Sequence, residues 1–293
     1  MSNLIRCITD DGCVVALAVD STNIVEKARQ YNRSSKVCTA ALGRLLTAAS
    51  LMGKMLKGED DSVTLRINGK GPVGSVIAVG DADGCCRGYI MDPHVELSLN
   101  AKGKLDVGGA VGKDGYLSVI KDIGYKEPVV GQVPIVSGEI AEDITSYFAV
   151  SEQVPTVCAL GVLVNPDLTV AAAGGFLIQL LPTADDTVID RVEKGLQGLP
   201  AITAMLSDGL TPLEIVRKAL PEFKMEVLDE HTCEYRCNCS RERVERALIS
   251  AGPQALEEMA QDPVTEVKCH FCPAVYRFSS DEIREILNNA KQS

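Results

Sequence analysis

The chain has 293 residues, 46% of them hydrophobic and 24% charged, the balance of a folded protein rather than a disordered tract. Forty acidic against 29 basic residues leave a net charge of -11, so a nucleic-acid partner, which needs a basic surface, is not expected. No apolar run reaches the roughly 18 residues of a membrane span, Met1 to Gly12 lacks a secretory apolar segment, and an odd count of 11 cysteines reads as reduced cytoplasmic thiols.

Single cores stop growing near about 250 to 300 residues, so two domains are expected. Leu4 to Ile8 and Cys13 to Val19 flank Asp10-Asp11-Gly12 and read as a β-hairpin turning at the Asp-Gly step. Asn23 followed by Glu26 has capping-box spacing for a short helix through Tyr31. A longer helix is predicted from Ser35 to Leu56, where Leu42, Leu45, Leu46, Ala49, Met52 and Leu56 recur every three or four residues and give one buried face. Strands are predicted at Ser62 to Asn68, Ser75 to Gly80, Arg87 to Met91 and Val95 to Leu99, between Gly and Asp turns.

Two glycine-rich stretches imitate nucleotide sites. Gly69 to Gly74 spells G-x-G-x-x-G, yet Ser75 to Val79 reads as a strand where dinucleotide binding needs a helix N-terminus. In Gly112-Lys113-Asp114 an acid replaces the Ser or Thr that would reach magnesium, and Val107 replaces the leading Gly. Neither is read as a nucleotide site.

Ser137 to Glu142 is predicted to open a helix that runs through Tyr147-Phe148 and ends at Pro155. Cys158 to Val164 and Leu168 to Ala172 flank the turn Asn165-Pro166-Asp167, and Gly174 to Leu180 extends the apolar run. After Pro182 helices replace strands. Val188, Val192 and Leu196 make one amphipathic piece, and Leu199, Ile202, Met205 and Leu206 a second. Thr211-Pro212-Leu213-Glu214 starts a third, on which Leu213, Val216 and Leu220 share a face. Helices this short are marginal alone and need a surface to lie on.

The densest chemistry lies near the C-terminus. Cys237-Asn238-Cys239 and Cys269-His270-Phe271-Cys272 are close pairs spaced so that a chain can wrap one tetrahedral zinc ion in four thiolates. The single residue inside the first pair departs from the two to four of common zinc modules. Ser240 and Gly252-Pro253 start helices through Ile249 and Met259, and Ser279 with Glu282 caps a closing helix. A module of about 55 residues has little core, so metal thiolates contributing roughly 10 to 16 kcal/mol would decide whether it folds. Cys233 reads as an incidental thiol, His270 is left out of the ligand set, and His94 and His231 read as surface or packing residues. Of Cys85-Cys86, one is expected in the sheet and one outward; Cys7, Cys13, Cys38 and Cys158 read as inert core thiols. Arg236, Arg241, Arg243 and Arg246 read mostly as a solvated face beside the cluster.

These residues resemble the redox-regulated heat-shock protein 33 chaperones. The resemblance rests on Cys237-x-Cys239 and Cys269-x-x-Cys272, on Ser137 to Pro155 with its Ser-Glu-Gln-x-Pro ending, and on Gly174-Gly175-Phe176 followed by Gln179. It covers essentially the whole chain. It implies an α+β protein with a core of mixed β-sheet and packed helices over 1–182, a helical linker over 183–232, and a zinc-binding redox-switch module over 233–293. It implies Cys237, Cys239, Cys269 and Cys272 as ligands of one Zn2+ in the reduced form, with disulfides Cys237–Cys239 and Cys269–Cys272, which the spacing also suggests, after oxidation. The implied activity is that of an ATP-independent holdase for unfolding client proteins, with an oxidised homodimer and downstream ATP-dependent refolding chaperones as partners. No catalysis is implied.

The chemistry of the residues leads the same way. Four clustered thiolates are deprotonated nucleophiles and the first target of peroxide or hypochlorous acid. Loss of the metal would unfold the module, undock the linker and expose Leu199, Ile202, Leu213, Val216 and Leu220 to clients. The alternative is a thiol-disulfide oxidoreductase using the same pairs, although thioredoxin-like motifs sit at a helix start within a βαβ pattern. A zinc hydrolase would need an open ligand position and a paired general base, and Lys268 stands where a deaminase needs proline.

Overall fold

A computed structural model describes residues 2–292; Met1 and Ser293, the outer ends of the expected core and zinc-binding segments, lie outside the described residues. The Asp-Gly step forms the first turn as read. β1 (Ser2–Thr9) and β2 (Val14–Asp20) pair with Leu4 opposite Val19, and Gly12 takes a left-handed φ of 68°. The short helix α1 (Thr22–Asn32) is entered from Ser21, two residues before the expected cap at Asn23. Asp20 accepts from the Thr22 amide and hydroxyl, while Glu26 is engaged by Arg29 and the Val170 amide, so the expected capping box does not form.

The long helix α2 (Lys36–Gly53) starts at its Ser35 cap, whose Oγ accepts from the Cys38 amide. The single buried face predicted for it is a correction: from Val37 to Gly53 every residue except Arg44 is buried. A helix apolar all round belongs inside a core, and α2 lies between two antiparallel five-stranded sheets. The second sheet contains β3 (Ser62–Lys70), β4 (Val76–Asp81) and β5 (Cys86–Ile90), followed by the short helix α3 (Val107–Val111), β6 (Gly112–Asp122) and β7 (Val129–Pro134), in the order β5-β4-β3-β6-β7. Close approach to α2 is set by glycine: a Cβ on Gly80 of β4 would stand 1.9 Å from the Ala49 carbonyl oxygen.

Val95 to Leu99 is not a strand. Leu97 and Leu99 are exposed, and the segment is tied back at Val95, whose carbonyl accepts from Ser35 Oγ. Gly71 to Gly74 turn between β3 and β4, and Gly112 follows a helix and opens a strand, the reverse of a phosphate-binding loop.

The helix predicted from Ser137 starts later, as α4 (Ala141–Tyr147). Residues 136–140 instead wrap the buried Asp143 carboxylate, which accepts from the amides of Val136, Ser137, Gly138 and Ile140. A π turn over Phe148–Glu152 follows, and Gln153 at φ 56° ends it before Pro155. β8 (Thr156–Val164) and β9 (Val170–Leu180) then form the expected hairpin.

Beyond Pro182 come α5 (Asp186–Leu196), α6 (Ile202–Ser207) and α7 (Pro212–Ala219), the last with the full Thr211–Glu214 capping box. The segment expected to stay helical then becomes strand β10 (Met225–Cys233), which pairs with β1 and completes a first sheet ordered β10-β1-β2-β9-β8. Its exposed Glu226 and Glu230 and its half-buried Asp229 suit an edge strand. One apolar cluster surrounds α2; another joins the first sheet to α5, α6 and α7.

The chain folds as two compact units, Met1–Arg236 and Cys237–Ser293. The second unit contains α8 (Arg241–Ser250), α9 (Pro253–Met259), the hairpin β11 (Val264–Lys268) and β12 (Val275–Ser279), and α10 (Ser280–Gln292). Ser240 caps α8, Gly252 enters α9 at φ 92°, and Ser279 and Glu282 cap α10 reciprocally. Its core is small, built on Leu248, Leu256, Phe278 and Ile283.

Gly80→Ala is expected to destabilise the first unit by about 1 to 3 kcal/mol through overpacking. Urea unfolding followed by circular dichroism checks this, and an unchanged midpoint would mean that α2 withdraws without cost.

Candidate metal centre

The turn joining β11 to β12 carries one cysteine pair. Lys268 is opposite Val275 in the ladder, and the Cys269 amide donates to the Ala274 carbonyl at 3.0 Å, so the loop between them presents Cys269 and Cys272 together. The other pair lies on the extended segment just before α8, where the Ser240 cap fixes the chain direction next to Cys239. Arg241 joins the two segments. Its guanidinium lies 4.2 Å over the buried Phe278 ring, donates to the Arg277 carbonyl and pairs with Glu282 and Glu245.

Cys237, Cys239, Cys269 and Cys272 consequently meet, each half-buried, with all four sulfurs within 4.8 Å of one another. Cys237 Sγ is 3.7 Å from Cys269 Sγ, and Cys239 Sγ is 3.5 Å from Cys272 Sγ. Thiolates bound at about 2.3 Å around one tetrahedral ion stand about 3.8 Å apart, so this donor set can hold a single metal ion, and all-sulfur ligation favours a thiophilic one. Tyr276 of β12 donates its hydroxyl hydrogen to Cys239 Sγ at 3.1 Å. Burial drives the Cys237 thiol well above its usual range. At Cys239 burial pushes the same way but is outweighed by hydrogen bonds from Tyr276 and the neighbouring thiols, which draw it down.

The remaining candidates fall elsewhere. Cys233 belongs to β10 in the first unit, where its thiol points at the Ser2 carbonyl and burial pushes its pKa up to about 12. His270 is exposed and outside the four-sulfur group, and His94 is exposed. His231 contacts Lys54 and Asp229. Cys85 and Cys86 are both buried, which corrects the expectation of one outward thiol. Glu234 to Arg236 run beside β5, exchanging backbone hydrogen bonds with Cys86 and covering that edge. Cys7 and Cys38 are core thiols, whereas Cys13 and Cys158 are only half-buried, Cys13 because it sits at the hairpin turn. Two of the arginines read as solvated are engaged: Arg236 pairs with Asp83, and Arg241 is held as described. Arg243 and Arg246 are exposed.

Of the residues proposed for clients, Ile202, Val216 and Leu220 are buried and Leu199 and Leu213 are partly buried, all in the cluster beneath α5, α6 and α7. Leu199 and Ile202 line a cavity of about 800 Å³ beside β8. Sequence reasoning passed over Tyr276, although Val275-Tyr276-Arg277-Phe278 has the alternation of a strand that places Tyr276 and Phe278 on one face.

The Hsp33 protein family model matches residues 2–279. The 33 kDa chaperonin of Lachnoclostridium phytofermentans is 49% identical over 98% of this chain and 98% of its own length. That of Clostridium beijerinckii is 46% identical, covering 98% and 99% respectively. The crystal structure of the 33 kDa chaperonin (heat shock protein 33 homolog) from Thermotoga maritima aligns at a TM-score of 0.89 with 38% identity, covering 99% of both chains. Likeness over essentially the full length, in sequence and in fold, makes this chain a member of the Hsp33 chaperone family.

Proposed function

We propose that this chain is a cytoplasmic, ATP-independent holdase, inactive while reduced and zinc-bound and activated by oxidation. The observation that carries the reading is the meeting of four sulfurs within 4.8 Å in a unit with a small apolar core. Cys237, Cys239, Cys269 and Cys272 would hold Zn2+, which when bound keeps the thiolates together and contributes roughly 10 to 16 kcal/mol of apparent folding free energy.

Hydrogen peroxide is a sufficient oxidant. A thiolate lone pair attacks one peroxide oxygen, the O–O bond breaks, and a sulfenic acid and hydroxide result. A neighbouring thiolate then attacks that sulfur and the S–O bond breaks; the departing hydroxide takes up a proton and leaves as water. Two electrons pass from two sulfurs to one peroxide for each disulfide. We assign the bridges to Cys237–Cys239 and Cys269–Cys272, the pairs nearest along the chain. Disulfide sulfurs no longer serve as thiolate donors, and Leu248, Leu256, Phe278 and Ile283 form too small a core to hold the unit alone.

Unfolding of this unit is proposed to release the linker. Helices α6 and α7 have six and eight residues, too short to persist without the sheet beneath them. Their release would present Leu199, Ile202, Leu213, Val216 and Leu220 as an apolar surface for unfolding clients. An oxidised homodimer and hand-over to ATP-dependent refolding chaperones belong to the same reading. A thiol-disulfide oxidoreductase is less well served, because Cys269 and Cys272 sit in a hairpin loop rather than at a helix start that would activate them.

Light scattering from a heat-unfolding client tests the activity. Suppression is expected from peroxide-treated protein and not from the reduced, zinc-loaded form; equal suppression would make the centre merely structural, and none would favour the oxidoreductase. Cys272→Ser should lower zinc affinity by at least about tenfold, measured by chelator competition, and should remove the thermal transition of the second unit. Retained affinity would exclude Cys272 as a ligand.

A further inference from the structure

Tyr276 is delivered to the sulfur cluster by a strand. It lies opposite Val267 in the β11–β12 ladder, and two residues on, Phe278 is fully buried beneath the Arg241 guanidinium. From this fixed position its hydroxyl reaches across from the hairpin to the segment before α8, donating to Cys239 Sγ at 3.1 Å. The contact bridges the two chain segments that supply the cysteine pairs.

We propose that Tyr276 is a positioning residue of the redox centre, whose O–H···S hydrogen bond anchors Cys239 in the four-sulfur set and slows its oxidation relative to Cys269. The inference rests on the redox-centre reading above. A thiolate attacks peroxide with a sulfur lone pair, and a hydrogen bond donated to that sulfur withdraws electron density from it and occupies part of the approach. As the S–O bond forms, the O–O bond breaks and hydroxide leaves. Tyr276 keeps its proton throughout, so it acts through Cys239 and not on the oxidant. Hydrogen bonds to ligand atoms also set how firmly a metal is held, which makes the phenol a determinant of both zinc retention and the threshold of the switch.

Tyr276→Phe removes the hydroxyl and keeps the ring. In the full-length, reduced, zinc-loaded protein, peroxide exposure followed by alkylation and mass spectrometry gives the oxidation rate at each cysteine. The variant is expected to raise the rate at Cys239 relative to Cys269 by about threefold or more and to weaken zinc by about tenfold in chelator competition. Cobalt substitution supplies a second readout, a shift of the thiolate-to-metal charge-transfer band in the variant. An unchanged Cys239 to Cys269 ratio, or equal acceleration at all four cysteines as from simple loosening, would overturn the proposal. Should the variant not fold, the unsubstituted protein still decides: in the reduced protein the vibrational spectrum of Tyr276 must be that of a phenol donating a hydrogen bond, and a free phenol refutes the assignment. Failure of the unsubstituted protein to bind zinc would defeat the redox-centre reading itself; normal zinc binding and oxidation with an indifferent variant would defeat only the role of Tyr276.

Discussion

Four thiol side chains crowded within 4.8 Å are the constraint around which the second unit is arranged. Its apolar core rests on a few side chains, chiefly Leu248, Leu256, Phe278 and Ile283, and its strands form a lone two-stranded hairpin. Each contributes little stability on its own. On the proposed reading, a shared cation would remove the mutual repulsion of the thiolates and close the chain across the segment from Cys239 to Cys269. In that reading the same sulfurs would also be the first targets of an oxidant, so the bonds that stabilise the unit would be its point of failure.

The first unit is built on the opposite principle. Helix α2 is buried on all sides between two five-stranded sheets, and its approach to β4 requires Gly80. Cys86 and Cys233, buried within this core, are pushed away from reactivity by desolvation. Over the outer face of the first sheet lie α5, α6 and α7, which are short and held by packing. Rigid sheet beneath marginal helices is an arrangement in which apolar surface can be uncovered without loss of the fold.

Much of this was legible in local chemistry. Helix caps depend on neighbours in sequence, and Thr211, Ser240 and the Ser279–Glu282 pair cap as their spacing indicates, whereas Asn23 and Glu26 do not. The meeting of the four cysteines was legible because metal ligation would impose such a spacing on this residue type. Long-range features were not. β10 is an acidic edge strand whose pairing partner, β1, lies at the other end of the unit, so nothing nearby marks it as a strand. The late start of α4 depends on Asp143 gathering backbone amides from residues 136–140, which becomes visible only once that loop is folded. The complete burial of α2 was present in its composition, with Lys36 and Arg44 its only charged residues, but a periodic pattern drew attention to one face.

On the proposed reading, the state of four sulfurs governs the exposure of apolar surface on helices elsewhere in the chain. Hydrogen–deuterium exchange over residues 186–220, compared between the reduced zinc-loaded protein and the peroxide-treated protein, tests it most directly. Protected amides are expected in α5, α6 and α7 before oxidation and rapid exchange afterwards, with α2 protected in both states. Unchanged protection of these helices after the second unit has lost its zinc and unfolded would contradict it.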